Sequence, residues 1–352
     1  MSELTAAKRL VLAKTLRGLR ERVAETVTDE FFARHPDWQK RYGESGHRHG
    51  VADACFHIDF LAGAVEAGSA LPFEEYARWA VRMLAGRGID PRFVAENLDQ
   101  IGRALVPHLE NAEQAHVARL LTAACAAALE DSAAAPCLAG DDQLALTRGL
   151  FTQAILQGNR AAACNIATEA VRAGYSVPDV YVGVLQESLY QVGRLWEGNR
   201  IAVATEHMAT AVVQYVLAHL YLLIPPSAHH RGNAIVTGVE GESHQVGANM
   251  VADVLESGGW NVRFLGVNVP HGGVLRAVEE HRADVVGISA TMLFSLPKVR
   301  VLIADMRERF VARPPRILIG GGAFRSLVAP AEEVGADAFG ADLRSVLALT
   351  GN

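Results

Sequence analysis

Apolar residues recur at helical spacing through the first 135 residues of the chain. Ala52, Phe56, Phe60, Ala64 and Ala67 stand three or four positions apart, which is the period of an amphipathic helix. The other helices predicted in this region are 6–34, 76–84, 94–109 and 112–130. The pattern therefore predicts an all-helical first domain over 1–135. The small residues, Pro and Gly of 132–140 predict a linker after it.

A second group of helical segments follows, with short connections that contain glycine. These segments are 142–157, 159–173, 177–196 and 202–223. Helices joined by such short turns are typical of a four-helix bundle, so we predict a bundle over 141–225. The apolar end of its last helix, 212–223, offers a surface for a homodimer, although the same residues suit the interior of the bundle.

From residue 229 the pattern changes to short apolar runs that alternate with helical segments. The runs predict strands at 234–239, 262–267, 284–289, 316–321 and 336–340. Strict alternation of strand and helix indicates a parallel, doubly wound sheet. The predicted fold class is multidomain, α and α/β, with a Rossmann-like (flavodoxin-like) domain over 229–352. Ligands of such sheets bind at the carboxyl ends of the strands, so the loops there are the candidate site.

Composition and charge exclude several classes of protein. The 352 residues include 33 Lys and Arg against 39 Asp and Glu, a net charge of −6, which opposes nucleic-acid binding and so argues against a DNA partner. No apolar stretch approaches the ~20 residues of a membrane span, and the N-terminus does not read as a signal peptide. Four dispersed cysteines oppose a disulfide framework. We expect a cytoplasmic protein without a membrane partner.

The loop after the first strand of the sheet carries candidate metal chemistry. Glu242 stands two residues before His244, and Gly247 follows. A carboxylate beside a histidine can accept its second N–H and fix the tautomer of a metal-ligating imidazole, and a glycine lets a large group approach the backbone. Alone, the loop is equally compatible with an exposed polar segment in which Glu242 stands near a helix N-terminus.

Three motifs at the predicted strand ends together resemble the cobalamin-binding domain family. They are Glu242-x-His244-x-x-Gly247, Ser289-Ala290-Thr291 and Gly320-Gly321-Gly322. The resemblance implies a cobalamin with His244 as its lower cobalt ligand, Ser289 on the nucleotide tail and the glycines making room for it. Glu242 stands where Asp is commoner but keeps the carboxylate. The implied contact residues are Glu242, His244, Gln245, Val246, Gly247, Ser289, Thr291, Gly320, Gly321 and Gly322.

The bundle carries a further motif, Trp196 followed after nine residues by Glu206-His207. This spacing resembles the cap of CarH-type photoreceptors and implies adenosylcobalamin, with Trp196 over the upper ligand, Glu206 on its ribose and His207 in the same cavity. Considered without the resemblance, Trp196 is typical of an aromatic residue in a bundle core, and His207 is typical of a buried core histidine. The sequence departs from that family at two points. Glu197 stands where many such regulators carry the His that binds cobalt after photolysis. The helical first domain also shows no pattern of the helix-turn-helix domain with which those regulators begin.

The first domain resembles the globin-like sensor domain of photocobilins, in overall architecture and in the segments 57–61 and 87–89. The resemblance implies a linear tetrapyrrole, biliverdin. The implied contact residues are His47, Arg48, His49, His57, Asp59, Trp79 and Arg82. Two alternatives remain open: a solvated helical face, and a haem globin with His57 or His108 as the proximal ligand.

These resemblances together predict a light-sensing protein without enzymatic activity. Photochemistry on adenosylcobalamin and biliverdin would rearrange domains or oligomers, and an effector protein of unknown identity would receive the signal. The alternative is a corrinoid methyl carrier for a partner methyltransferase, which needs His244 and Ser289 but not the Trp196 motif. The third class, a DNA-binding repressor, is opposed by the charge.

Overall fold

The computed structural model describes residues 4–130, 142–225 and 227–350. The chain divides into two compact units, Met1–Ala134 and Ala135–Asn352. The predicted linker at 132–140 lies outside the described residues, and the division into three domains stays a prediction. None of the helices in the described ranges is long and apolar enough to cross a membrane.

The described part of the first unit is all-helical, as predicted. Its helices are α1 (Ala6–Arg34), α2 (Pro36–Ala67), α3 (Leu71–Ala85), α4 (Pro91–Leu105) and α5 (Asn111–Leu129). The start of α2 was predicted at residue 51, because 36–50 is polar and lacks an apolar period. The structure begins α2 at Pro36, which suits the first turn of a helix, and kinks it at Gly43, where φ is +56°.

The second unit begins with an antiparallel helical bundle. Its helices are α6 (Ala145–Leu156), α7 (Arg160–Arg172), α8 (Val177–Val180), α9 (Glu187–Glu197) and α10 (Val203–Tyr221). A π-helical segment, Tyr181–Gln186, joins α8 to α9, so the two form the single long helix that the sequence predicts at 177–196. Single π turns are often found at functional positions.

One face of the apolar stretch at 212–223 lies inside the bundle, whereas Tyr215, Tyr221, Leu222 and Leu223 are exposed. Val212, Val213, Val216, Leu217 and Leu220 are buried, as expected for the inner face of a bundle helix. The described part of the chain therefore explains these residues without a second copy, and the homodimer stays a prediction.

A parallel sheet follows, and its order is that of a flavodoxin-like fold. Within residues 227–350 the strands are β1 (Gly232–Gly238), β2 (Trp260–Phe264), β3 (Val285–Ser289), β4 (Arg316–Gly320) and β5 (Ala338–Gly340), in the order β2-β1-β3-β4-β5. The helices between and after them are α11 (Val246–Ser257), α12 (His271–His281), α13 (Leu296–Arg309), α14 (Pro330–Val334) and α15 (Val346–Leu349). The predicted Rossmann-like parallel sheet is confirmed.

In the sheet domain, β2 and the last two helices are shorter than the sequence predicts. β2 was predicted to reach residue 267 but ends at Phe264, because Gly266 adopts φ +78° and turns the chain. The last two helices were predicted over 324–334 and 342–350, but α14 and α15 are much shorter. Pro330 sets the start of α14, since proline is favoured in the first helical turn.

The register of the sheet aligns the ends of its central strands. Gly238 of β1 pairs with Ser289 of β3, and Ser289 pairs with Gly320 of β4. The chain leaves β1 for β2 on one side and later returns to β3 on the other. The strand order thus reverses between β1 and β3, which is where flavodoxin-like folds bind their ligands.

The bundle and the sheet share one hydrophobic core. Tyr181 and Val216 of the bundle belong to the same buried cluster as Met250 and Val254 of α11. A buried hydrogen bond runs through this core, from the Tyr181 hydroxyl to Asp253 Oδ2 at 2.7 Å. Apolar packing and a satisfied polar pair therefore both hold the bundle against α11.

Candidate cofactor site

A buried carboxylate organises the loop after β1. The Glu242 side chain is fully buried, and its Oε1 accepts hydrogen bonds from the backbone N–H groups of Ser243 and His244, both at 2.9 Å. The same oxygen lies 2.6 Å from His244 Nδ1, and Oε2 accepts from Thr291 N at 2.6 Å. One carboxylate thus orients the imidazole and ties the loop after β1 to the loop after β3.

This arrangement settles which nitrogen of His244 is presented outward. An ionised carboxylate only accepts hydrogen bonds, so Nδ1 carries the proton that points to Glu242. Nε2 has no hydrogen-bond partner within the described ranges of the chain, and the side chain is 55% exposed. His244 therefore offers Nε2 to solvent or to a ligand, with its tautomer fixed from behind.

The two partners shift each other's pKa. Burial would raise the pKa of the Glu242 carboxyl, but hydrogen bonds from His244 and Thr291 outweigh it and hold the pKa below its ordinary value. The hydrogen bond to Glu242 raises the pKa of His244 against the opposing effect of burial, and the charges of Glu242 and Glu206 add to the increase. A proton therefore competes with any metal for Nε2, and raising the pH favours the metal.

Glycines shape the neighbouring loop after β4. Gly321 adopts φ +107°, and a Cβ built there would lie 2.3 Å from the carbonyl oxygen of Ala290. A Cβ at Gly322 would lie 3.1 Å from the carbonyl oxygen of Thr291. A side chain at Gly321 would thus push apart the two loops that follow β3 and β4.

The remaining motif residues face the same edge of the sheet. Ser289 ends β3 and is half-buried, and its hydroxyl has no hydrogen-bond partner in the part of the chain that the structure describes. Gln245 and Val246 open α11 behind His244. No described atom lies within 4 Å of a Cβ built at Gly247 outside its own helix and chain neighbours. The edge thus has an available imidazole, an available hydroxyl and open space at one glycine.

The first turn of α10 also reaches this edge. Glu206 accepts hydrogen bonds from His207 Nδ1 at 2.6 Å and from the Thr210 hydroxyl at 3.0 Å, and its charge acts on His244. His207 is not a core histidine, since its side chain is 75% exposed. Trp196 lies half-buried in the last turn of α9.

The residues predicted in the first unit fall into separate groups. His57 is buried, and its Nδ1 lies 2.8 Å from the Tyr76 hydroxyl, while Trp79 packs beside Tyr76 at 5.9 Å between ring centroids. Asp59 pairs with Arg20. On the first half of α2, His47 pairs with Asp29, and Arg48 and His49 are exposed. On α3, Arg82 Nε is buried and has no hydrogen-bond partner in the described chain.

Burial dominates the chemistry of the His57 group. Loss of solvent lowers the pKa of His57 to about 4, so the ring is neutral and serves as a hydrogen-bonding core residue. Burial also raises the pKa of Tyr76 well above its ordinary value. Sequence reasoning missed Tyr76, because only the fold brings α3 onto α2.

Comparison with known proteins identifies the class of the second unit. Two family models described as "B12 binding domain" match residues 232–345 and 149–221. The chain is 30% identical over 177 residues to dimethylamine corrinoid protein 3 of Methanosarcina acetivorans, covering 50% of this chain and 80% of the relative. It is 32% identical over 154 residues to dimethylamine corrinoid protein 3 of Methanosarcina mazei, covering 43% and 88%.

More distant comparisons agree on the fold. A corrinoid protein of Desulfitobacterium hafniense is 27% identical over 194 residues, covering 54% of this chain and 87% of the relative. The structure of the Methanosarcina barkeri monomethylamine corrinoid protein aligns with a TM-score of 0.52 at 22% identity, covering 58% of this chain and 97% of that one. The fold and the matched domains define a cobalamin-binding protein. This chain belongs to the corrinoid protein family.

The prediction of a photocobilin-type photoreceptor is wrong. The relatives are corrinoid proteins, several of them of dimethylamine, and a B12 binding domain model covers the bundle on which the likeness to light sensors depended. The bundle therefore matches a B12 binding domain in a family of corrinoid proteins, and the Trp196 spacing did not identify a light sensor. Biliverdin and the globin-like domain depended on the same resemblance and have no support from these relatives. The adenosyl form of the cofactor is not shown either.

Proposed function

We propose that this protein carries methyl groups on a bound corrinoid and exchanges them with a partner methyltransferase. The observation that supports it most strongly is the Glu242–His244 pair at the reversal between β1 and β3, within a chain of the corrinoid protein family. The protein is then a carrier and not itself the catalyst of methyl transfer.

The residues at the sheet edge fit a corrinoid. His244 Nε2 would hold the metal, and the Ser289 hydroxyl and the backbone at Gly321 and Gly322 would hold the nucleotide tail. Gly247 would let the ring approach α11. When bound, the corrinoid supplies a cobalt centre that accepts and releases a methyl group.

The protein's own contribution to the cycle is proton control at His244. Glu242 keeps Nδ1–H directed toward its carboxylate, which makes Nε2 the stronger electron donor. When Nε2 is not needed as a ligand, the ring can take up a proton there, because Glu242 stabilises the imidazolium. The pair would thus let the ring hold either a metal or a proton at Nε2.

The first turn of α10 and the end of α9 would lie near the bound corrinoid. Glu206 lies close enough to act on His244 electrostatically, which supports placing Glu206 and its hydrogen-bond partner His207 near the metal. A methyl group is small and apolar, so Trp196 suits it better than a charged side chain would. These roles replace the contacts to an adenosyl group that the sequence predicted for Trp196, Glu206 and His207.

The names of the relatives suggest the partner to test first. They are corrinoid proteins of dimethylamine and monomethylamine systems, so a methylamine-specific methyltransferase is the first candidate. The test loads the full chain with cob(I)alamin, adds a dimethylamine methyltransferase and dimethylamine, and follows methylcobalamin formation. Methylation that depends on both the chain and the amine supports the proposal. Failure to bind cobalamin, or methylation of free cobalamin at the same rate without the chain, overturns it.

A further inference from the structure

The loop that carries His244 is held from outside the site by two other segments. Asn268, in the loop after β2, accepts a hydrogen bond from Gly241 N through Oδ1 at 2.7 Å. Lys298, in the first turns of α13, donates from Nζ to the carbonyl oxygen of Glu240 at 2.8 Å. These contacts fix the two residues that precede Glu242.

The backbone around Asn268 is held in place by its own conformation and by pairing with β1. Its φ is +57°, a left-handed conformation that asparagine tolerates better than most other residues. On either side of it the chain remains paired with the end of β1, since Gly238 N donates to Gly266 O at 3.0 Å and Val269 bridges Val239. The amide oxygen is therefore delivered to Gly241 by a rigid extension of the sheet.

Gly241 transmits this constraint to the carboxylate. It adopts φ +86°, and a Cβ built there would lie 3.1 Å from Lys298 Nζ. The next residue is Glu242, whose Oε1 holds His244 Nδ1. A hydrogen-bonded chain thus runs from Asn268 through Gly241 and Glu242 to the imidazole.

We propose that Asn268 is a positioning residue that orients His244 as the lower ligand of the corrinoid metal. The proposal rests on the proposed function. Holding a ligand's supporting shell rigid lowers the cost of bringing the ligand to the metal. Lys298 assists from the opposite side of the same loop.

Two substitutions separate the hydrogen bond from the backbone conformation. Asn268→Gly removes the acceptor but tolerates positive φ, so it causes no backbone strain. Asn268→Asp keeps an acceptor in the same place and is the rescue variant. Asn261→Ala is the matched control. It removes the exposed hydrogen bond that the Asn261 side chain donates to Asn233 Oδ1 at 3.0 Å, at the opposite end of the sheet. Lys298→Met removes the second contact independently.

The experiment loads each full-length variant with aquacobalamin and measures, by absorption, the ratio of His-bound to His-free cofactor. We expect Asn268→Gly to lower this ratio roughly 3- to 10-fold, the effect of one hydrogen bond, with Asn268→Asp and Asn261→Ala close to wild type. Lys298→Met should also lower the ratio of His-bound to His-free cofactor, and it provides the test if Asn268→Gly does not fold.

The outcomes distinguish the inference from the proposed function. If wild type and His244→Ala give the same spectrum, the proposed function fails. If wild type is His-bound and Asn268→Gly matches it, the inference alone is overturned. If Asn268→Asp falls as far as Asn268→Gly while both keep the thermal stability of wild type, the acceptor is not the cause and the inference is also overturned.

Discussion

Glu242 bridges two loops, because Oε1 lies 2.6 Å from His244 Nδ1 and Oε2 accepts from Thr291 N at the same distance. The residue that orients the imidazole therefore also sets the distance between the segments after β1 and β3. The proposed lower ligand and the proposed binding site of the tail both depend on one buried side chain, so changes at Glu242 should affect both.

Replacing the carboxylate should weaken the lower ligand and change its proton affinity. Glu242→Gln keeps the size of the side chain but removes the charge that raises the pKa of His244. We expect the pKa of His244 to fall and the ratio of His-bound to His-free cobalamin to decrease about tenfold, the lower end of the effect found for partners of metal-ligating histidines. NMR titration of His244 in the cofactor-free protein and absorption of the loaded protein measure the two effects. An unchanged His244 pKa would contradict the account.

Cobalamin ligation by His244 should strengthen as the pH rises. The pKa of His244 lies above its ordinary value of 6.5, so the protonated ring predominates below that pKa and its Nε2 cannot bind a metal. Raising the pH through the pKa removes this competition. Absorption of the loaded chain across this range should show the His-bound form growing with pH. In Glu242→Gln a lower pKa of His244 moves this midpoint to lower pH, whereas weaker ligation moves it to higher pH, so the pKa effect of the carboxylate is read from the cofactor-free titration of His244. A wild-type His-bound fraction that does not change with pH would contradict the account.

The tail-binding assignment predicts selectivity between two corrinoids. Ser289 has no hydrogen-bond partner for its hydroxyl in the described chain, so Ser289→Ala should leave the fold intact. We expect this variant to lose roughly 3- to 10-fold in affinity for cobalamin, about one hydrogen bond. Its affinity for cobinamide, which lacks the nucleotide base, should not change. Equal losses for both ligands in a binding titration would rule out a contact to the base.

The loop after β4 should not tolerate a side chain at Gly321. Gly321→Ala places a Cβ 2.3 Å from Ala290 O at φ +107°, which we expect to destabilise the chain by about 1–3 kcal/mol and to weaken cobalamin binding. Gly272→Ala in α12 is the control, because nothing outside its own helix and chain neighbours lies within 4 Å of the added Cβ. Denaturant unfolding and binding titration measure both. A Gly321→Ala protein as stable as Gly272→Ala would refute the steric argument.

The bond between the bundle and α11 predicts a pH-dependent stability. Burial raises the pKa of Asp253 from 3.8 to about 6, although the bond from Tyr181 opposes the increase. The folded state then prefers the protonated carboxyl, so its contribution to stability is fully present below pH 3.8 and is lost as the pH rises to about 6. Asp253→Asn removes this dependence.

The gain in stability from Asp253→Asn should therefore grow with pH, by about 3 kcal/mol between the two pKa values, and then remain constant. Denaturant unfolding of both proteins at about pH 4, 5 and 7 measures the difference. A difference that does not vary with pH would show that Asp253 has an ordinary pKa in the folded chain.

Most of the fold could be predicted because its signals are local. Alternating apolar runs and helices define a parallel sheet, and the motif residues follow its strands. The π-helical segment at Tyr181–Gln186 could not be predicted, because nothing in the local period distinguishes it from α-helix. The start of α2 was missed because 36–50 has no apolar face.

The site was predictable only as far as its residues are close in sequence. Glu242 and His244 stand two positions apart, whereas Asn268 and Lys298 reach the same loop from other parts of the sheet domain. The choice between sensor and carrier failed for a different reason. The region that holds Trp196, Glu206 and His207 matches a B12 binding domain model, so their spacing predicted a corrinoid-binding bundle but did not identify the upper ligand.

The most direct test of the account is electron paramagnetic resonance of unlabelled cob(II)alamin bound to the uniformly ¹⁵N-labelled protein. Coupling of cobalt(II) to one axial nitrogen splits its lines, into triplets for ¹⁴N and doublets for ¹⁵N. If His244 is the lower ligand, we predict doublets in wild type that disappear in His244→Ala. Triplets, which report the cofactor's own base, or lines without nitrogen splitting would contradict the central claim.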